Sequence, residues 1–227
     1  KFADQVICVS KAVKEKLIEL GEINSNQGTV IYNPVSQPKA YTRVKNKNFT
    51  IVTVGRLAPV KNLDTLIKVL VKTEDQNIRL IVVGDGPERK HLENLTKSEQ
   101  IENRVNFIGF SSEPEKHLAQ ADLFVLPSFS EGFGIAAVEA MFCGVPCLCT
   151  NVGGIPELIE KNKTGWLFNP NDQDELVQKI DSISKLETED LENVGKNGQQ
   201  YALENFTSRK YIETLERFYK TMSLKIK

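Results

Sequence analysis

Residues 130–141, with the sequence SEGFGIAAVEAM, contain the pattern on which the prediction of the fold rests. The segment follows an apolar run at residues 123–126 that ends at Pro127, and it opens an alanine-rich run that stops at Gly144. This order is typical of a buried strand, a glycine-rich turn and the start of a helix. Because the first N–H groups of a helix are unpaired and lie at the positive end of its dipole, we predict an anion site here, most often one for a phosphate.

Two carboxylates frame this turn. Glu131 precedes the helix, and Glu139 lies inside it. Carboxylates accept hydrogen bonds from hydroxyl groups, so the segment suits an anionic group flanked by polyol groups, which is the layout of a nucleotide sugar. The residues leave an alternative open, in which the acidic group is only a favourable partner of the helix dipole and Gly-x-Gly is only a tight turn.

The composition is that of an ordinary globular protein, because 40% of the 227 residues are hydrophobic and 26% are charged. The formal net charge of −1 argues against a nucleic-acid binder, which usually carries a basic surplus. No apolar run approaches the length of a membrane span, and no signal peptide is visible. The chain starts at Lys1 without an initiator Met, which suggests a fragment of a longer protein.

The cysteine pattern favours buried thiols over a metal site. The four cysteines are Cys8, Cys143, Cys147 and Cys149. No Cys-x-x-Cys pair occurs, and the two histidines lie far from the cysteines in the sequence. We therefore expect small buried hydrophobic side chains and a reducing, cytoplasmic location.

Strands and helices are predicted to alternate along most of the chain. Apolar runs that mostly end at glycine-containing turns predict strands at residues 49–54, 78–83, 105–108, 123–126, 146–149 and 166–168. Helical spacing and composition predict helices at residues 62–72, 88–100, 113–120, directly after 157, at 172–184, 189–204 and 208–222. The alternation predicts an α/β fold with a Rossmann-like, doubly wound parallel sheet, whose ligand lies at the carboxyl ends of the strands.

The N-terminal part is predicted to be a strand at residues 4–9, a helix at 11–20 capped by Ser10, and a strand at 29–32. The polar residues 35–48 show no clear period and are predicted to form a linker or surface loop.

Seven short motifs occur in one characteristic order over residues 50–170. They are Val54-Gly55-Arg56-Leu57 with Lys61-Asn62, Val83-Gly84-Asp85-Gly86-Pro87, Phe107-Ile108-Gly109, the segment from Glu131 to Glu139, Gly144-Val145-Pro146, Gly153-Gly154-Ile155-Pro156-Glu157 and Thr164-Gly165-Trp166-Leu167. With these motifs the chain resembles the carboxyl-terminal half of a glycosyltransferase family 4 enzyme of the two-domain GT-B architecture. One departure is Asn33-Pro34-Val35, where the family commonly has Asn-Gly-Val.

The resemblance implies three catalytic residues. Arg56 and Lys61 correspond to the cations that bind the donor diphosphate, and Glu131 corresponds to the carboxylate that meets the hydroxyls of the donor sugar. Two fixed cations after a strand would stabilise the charge that grows on a departing diphosphate, although two plain surface cations are the alternative. No cofactor and no metal are expected, because nothing resembles a metal-binding Asp-x-Asp site at a strand end.

The resemblance also implies a set of binding residues. Glu139 corresponds to the ribose ligand, and the other members are Gly132, Phe133, Gly134, Ile135, Gly55, Gly84, Gly86 and Ile108. Main-chain groups at Ile108 are expected to hold the nucleobase. Gly84 and Gly86 are expected to keep the crevice open, and the alternative is that they only form tight turns. The alternative for Ile108 is that its side chain simply belongs to the core of the strand.

The implied domain layout has three parts. Residues 1–34 are expected to be a remnant of the first domain with the interdomain crossing, residues 35–205 the nucleotide-sugar-binding domain, and residues 206–227 a helix that returns toward the missing domain. The implied function is that of a retaining, hexosyltransferase-type enzyme of bacterial glycan synthesis. Its partners would be a nucleotide-diphosphate sugar and an acceptor glycan or lipid-linked sugar held by the missing domain. The enzyme would be free in the cytoplasm or peripheral at the inner face of the membrane.

Three other functions are compatible with parts of the sequence. Another GT-B enzyme, such as a sugar-nucleotide epimerase or a phosphorylase, shares the same fold, and a phosphorylase would need phosphate or a cofactor as a partner. A non-catalytic nucleotide-sugar-binding module would need only the donor half. A nicotinamide dehydrogenase is disfavoured, because Gly-x-Gly-x-x-Gly is missing after the first strand.

Overall fold

The structure is a computed structural model and describes residues 3–38 and 46–225, with side chains described as far as residue 223. Its strands are β1 (Val6–Cys8), β2 (Gly28–Val30), β3 (Thr50–Val54), β4 (Arg79–Val83), β5 (Val105–Gly109), β6 (Leu123–Leu126), β7 (Cys147–Thr150) and β8 (Gly165–Phe168). Its helices are α1 (Lys11–Glu19), α2 (Leu63–Lys72), α3 (Arg89–Ser98), α4 (Glu115–Leu118), α5 (Ile135–Phe142), α6 (Gln173–Ser184), α7 (Thr188–Asn205) and α8 (Ser208–Lys225).

Strands β3 to β8 form one parallel sheet in the order β5-β4-β3-β6-β7-β8. Strand β3 pairs with β4 on one side and with β6 on the other, so the direction in which successive strands are added reverses at β3. The predicted Rossmann-like, doubly wound fold is confirmed. In such sheets ligands bind outside the carboxyl ends of the strands at the reversal, which directs attention to the loops after β3 and β6.

The core lies on both faces of this sheet, because alternate residues of a strand point to opposite sides. In β6, Phe124 and Leu126 belong to the hydrophobic cluster beneath α5, whereas Leu123 and Val125 belong to the cluster beneath α2 and α6. All four side chains are buried, and each contributes roughly 1.5–3 kcal/mol of hydrophobic free energy before the loss of chain entropy. A strand buried on both faces is a continuous apolar run in the sequence, as predicted.

The predicted strand, helix and strand at the N-terminus are present. Strands β1 and β2 form a separate two-stranded parallel sheet, in which Val6 lies opposite Gly28. Helix α1 begins after Ser10, whose Oγ accepts a hydrogen bond from the Val13 N–H at 3.1 Å. The division of the chain at residues 34 and 205 stays a prediction.

The α-helix predicted directly after Glu157 is wrong. The structure has a 3₁₀ turn at Ile155–Glu157, and residues 158–164 lead into β8 without forming an α-helix. Only these seven positions separate the 3₁₀ turn from β8, and Asn162 among them adopts a left-handed φ of 61°. A right-handed helix cannot continue through such a residue. Residues 39–45 of the predicted linker lie outside the described residues.

Candidate active site

A cleft of about 460 Å³ lies at the carboxyl ends of β3 and β6. It is lined by Val9, Asn33, Val54, Gly55, Arg56, Lys61, Leu126, Glu131, Gly132, Phe133, Gly134, Ile135, Ala136 and Glu139. The cleft therefore brings together all three residues expected to be catalytic and six of the nine expected to bind substrate.

The loop after β3 is fixed to the loop after β6 by backbone and amide bonds. A 3₁₀ turn at Pro59–Lys61 ends in Asn62, which has a left-handed φ of 53° and donates through Nδ2 to the Pro127 carbonyl at 3.1 Å. The Phe129 N–H donates to the Val60 carbonyl at 2.9 Å. These bonds place the Lys61 side chain beside the segment that carries Glu131.

Lys61 and Glu131 form an ion pair with 2.5 Å between Nζ and Oε1. Ser128 Oγ donates to the same oxygen at 2.9 Å. The Arg56 side chain is exposed and forms no ion pair within the part of the chain that the structure describes. The two predicted cations thus differ, because Lys61 already neutralises a carboxylate whereas Arg56 keeps its charge available to a ligand.

Helix α5 begins at the floor of the cleft. Gly134, the residue before its first turn, has a φ of 99°, and a Cβ there would lie 2.4 Å from Ile155 Cδ1. The first N–H groups of α5 have no acceptor inside the helix, so those of Ile135 and Ala136 are available at the cleft. The Phe133 side chain is buried, which leaves its backbone as the part that can meet a ligand.

Glu139 lines the cleft from within α5 and is partly buried. Burial, and next the negative charge of Glu115, raise the pKa of the Glu139 carboxyl above its ordinary value. No described residue forms a hydrogen bond or an ion pair with it. A partly buried carboxylate without a protein partner is a group that a ligand hydroxyl could satisfy.

Gly84, Gly86 and Ile108 do not line the cleft. A Cβ on Gly84 would lie 1.8 Å from the Gly55 carbonyl oxygen, and one on Gly86 would lie 2.3 Å from the Leu57 carbonyl oxygen. These glycines let the turn after β4 pack directly on the turn after β3. Ile108 is partly buried against the core. Ligand contact at these three residues stays a prediction.

The turn after β7 packs against the backbone of the Glu131 segment. This contact was not predicted from the sequence. Gly153 has a φ of 51°, and a Cβ there would lie 1.8 Å from the Glu131 carbonyl oxygen. The Gly154 N–H donates to that oxygen at 3.1 Å. The paired glycines in the sequence indicate a tight turn, but they do not indicate its contact with Glu131, which lies more than twenty residues earlier in the chain.

The start of α1 docks on the same region. The Glu157 carboxylate accepts hydrogen bonds from the N–H groups of Lys11 and Ala12 at 2.9 and 3.0 Å and from the Tyr32 hydroxyl at 3.0 Å. Burial, and next the bond to Glu157, raise the pKa of Tyr32 to about 12, so the phenol stays a donor. Ser10 Oγ donates to the Gly132 carbonyl at 2.7 Å.

Within the described residues, no helix is both long and apolar enough to cross a membrane. One group of side chains there, Asp64, Glu88 and His91, has its ligand atoms close enough together for a metal ion, and none of the three lines the cleft.

Comparison with known proteins agrees with this geometry. The sequence profile described as "Glycosyl transferases group 1" matches residues 37–201. N-acetyl-alpha-D-glucosaminyl L-malate synthase from Bacillus anthracis is 31% identical over 229 residues, which cover 96% of this chain and 59% of the relative. WcaL of Escherichia coli K12, a glycosyltransferase named for colanic acid biosynthesis, is 34% identical over 169 residues, or 70% of this chain and 42% of the relative.

A solved structure shows the same fold. The crystal structure of Anabaena HepE in complex with UDP-glucose superposes with a TM-score of 0.85 at 28% identity, covering 98% of this chain and 64% of HepE. The chain spans less than two thirds of the length of these relatives. Because the matched profile covers more than half of the chain and the fold is that of GT-B enzymes, the chain belongs to the group 1 glycosyl transferases.

Proposed function

We propose that the chain is the donor-binding part of a retaining glycosyltransferase that uses a nucleotide-diphosphate sugar. The observation that carries the proposal is one cleft that combines a helix start, two carboxylates and Arg56, a cation without an ion pair among the described residues. Arg56 and the first N–H groups of α5 suit a diphosphate, Glu139 suits ribose hydroxyls, and Glu131 suits the sugar. The complexes of HepE with UDP and with UDP-glucose support this choice of ligand class.

In the proposed reaction the bond between the anomeric carbon and the diphosphate oxygen breaks, and the nucleoside diphosphate leaves with the electron pair. The oxygen of an acceptor hydroxyl bonds to the anomeric carbon on the same face, and its proton passes to the leaving phosphate. Arg56 and the helix start stabilise the negative charge that develops on the leaving group, a task that other enzymes give to a metal ion. The acceptor would be held by the part of the enzyme that lies outside this chain.

We propose bacterial surface-glycan synthesis in the cytoplasm, free or at the inner face of the membrane, as the setting, with a hexose as the sugar. The name of WcaL supports the glycan class, and the HepE complex with UDP-glucose supports a hexose. The second candidate is a module that binds a nucleotide sugar without catalysing transfer. It would use the same cleft, because Arg56, Glu139 and the first N–H groups of α5 all act in the proposal as binding groups.

The test is calorimetric titration of the 227-residue chain with UDP and UDP-glucose, GDP and GDP-mannose, and ADP and ADP-glucose, each in the presence of EDTA. We expect one pair to bind without added metal. Arg56→Ala should raise the Kd of that diphosphate roughly 10- to 100-fold, the loss of one hydrogen bond to a charged group, and leave the Kd of the nucleoside unchanged. Binding that vanishes in chelator, or equal losses for nucleoside and diphosphate, would contradict the proposal.

A further inference from the structure

Two side chains among the described residues donate to the Glu131 carboxylate, and both bind the same oxygen atom. Lys61 Nζ lies 2.5 Å from Oε1, and Ser128 Oγ donates to Oε1 at 2.9 Å. No described residue donates to Oε2. Because the described residues contain no fully buried polar side-chain atom without a partner, Oε2 is accessible from outside the protein, and Glu131 lines the cleft. Among the described residues, Oε1 is therefore bound by the protein, and Oε2 is available to a ligand.

Ser128 is itself fixed by the sheet. Its side chain is fully buried, and the Thr150 hydroxyl donates to the Ser128 carbonyl at 2.7 Å. Thr150 is the last residue of β7, which pairs with β6, the strand that ends two residues before Ser128. A serine held in this way has little freedom to turn its hydroxyl away from Glu131. The position of the Glu131 carboxylate therefore depends on the position of the sheet.

We propose that Ser128 is a positioning residue that, together with Lys61, holds the Glu131 carboxylate in one orientation with Oε2 directed at a hydroxyl of the donor sugar. The inference rests on the proposed function, because it assigns the sugar to this end of the cleft. A free carboxylate oxygen attracts a neutral hydroxyl and repels a phosphate, so the diphosphate is left to Arg56 and the start of α5. Ser128 therefore affects recognition of the sugar and not recognition of the nucleotide.

The test compares two ligands that differ only in the sugar, taken from the pair that binds most tightly in the titration above. Ser128→Ala should raise the Kd of the sugar nucleotide about five- to tenfold, the loss expected when one charged hydrogen bond is weakened, and change the Kd of the parent diphosphate less than about twofold. Ser130→Ala is the matched control, because Ser130 is exposed on the same turn. It should leave both dissociation constants unchanged.

A double-mutant comparison separates positioning from a general effect on the fold. In a Glu131→Ala background, Ser128→Ala should cause no further loss of sugar-nucleotide binding, because the carboxylate that it positions is gone. Thermal unfolding shows whether Ser128→Ala folds. If it does not, Ser128→Cys keeps the shape of the side chain with a somewhat larger atom, weakens the donor and should give the same selective loss.

Two results would overturn the assignment: equal losses for both ligands, or a full additional loss in the Glu131→Ala background. Failure of the unmodified chain to bind any of the three diphosphates would instead overturn the proposed function, and the inference would fall with it.

Discussion

At the scale of a single residue, Glu139 lowers the stability of the fold, because its carboxyl group is partly buried and has no hydrogen-bond partner among the described residues. Its carboxyl pKa is raised by burial and then by Glu115, so the folded protein binds its proton more tightly than the unfolded chain. Stability is therefore lost as pH rises from the ordinary carboxyl pKa through the raised value, and the penalty persists at neutral pH. We predict that Glu139→Gln raises the melting temperature at pH 7 and that the gain disappears below about pH 4.

The substitution that raises stability at neutral pH should weaken nucleotide binding. Glu139→Gln is expected to weaken binding of a nucleotide with intact ribose and to leave a 2′,3′-dideoxy analogue unaffected. Glu115→Gln is the control, because it removes the smaller cause of the pKa shift without altering the group at the cleft. An equal loss for both nucleotides would assign Glu139 to the fold rather than to the ribose.

At the scale of elements, the turn after β7 determines where the Glu131 segment lies. Gly153 and Gly21 both have positive φ, but a Cβ would clash with the Glu131 carbonyl only at Gly153 and would meet open space at Gly21. We expect Gly21→Ala to cost about 1–2 kcal/mol of unfolding free energy for the left-handed backbone alone. Gly153→Ala should cost roughly 2–5 kcal/mol, because overpacking adds to that strain.

Urea unfolding measures both costs, and titration with the sugar nucleotide shows whether the cleft moves. Only Gly153→Ala should weaken binding. Similar unfolding costs for the two variants would show that the backbone near Gly153 yields without displacing Glu131.

The elements themselves were largely predictable from the sequence, whereas their contacts in the cleft were only partly so. Runs such as β6 are apolar at every position because both faces are covered, and each helix except the one expected after Glu157 was found in its predicted region. The cleft residues on the β3 and β6 turns were predicted from motifs. The roles of Ser128, Gly153 and Glu157 were not, because each depends on a contact with a segment distant in the chain or on one side-chain orientation.

At the scale of the whole molecule, Glu157 joins the N-terminal sheet and α1 to the main sheet. Its carboxylate accepts two backbone N–H groups at the start of α1. Glutamine offers one acceptor oxygen and would face the second N–H with its own NH₂ group. We expect Glu157→Gln to lower the free energy of unfolding by roughly 1–3 kcal/mol, with faster amide hydrogen exchange in α1 than in α5.

The neighbouring Glu160 provides the control for this charge change. It is exposed, and among the described residues its carboxylate forms an ion pair with Lys163 at the surface. Glu160→Gln should cost less than about 0.5 kcal/mol and leave exchange in α1 unchanged. Exchange that rises equally throughout the molecule in Glu157→Gln would show a global loss of stability and no specific attachment of α1.

The strand order also sets the sequence of events during synthesis. Ile51 of β3 pairs with Leu123 of β6, which leaves the ribosome about 70 residues later, roughly 4–14 seconds at ordinary rates of translation. Until then β3 and β4 can pair, but one edge of β3 remains open and apolar, a feature that chaperones bind. Because the cleft needs the loops of both strands, the proposed nucleotide sugar would not stabilise the nascent half-sheet and would stabilise only a chain in which β6 has joined it.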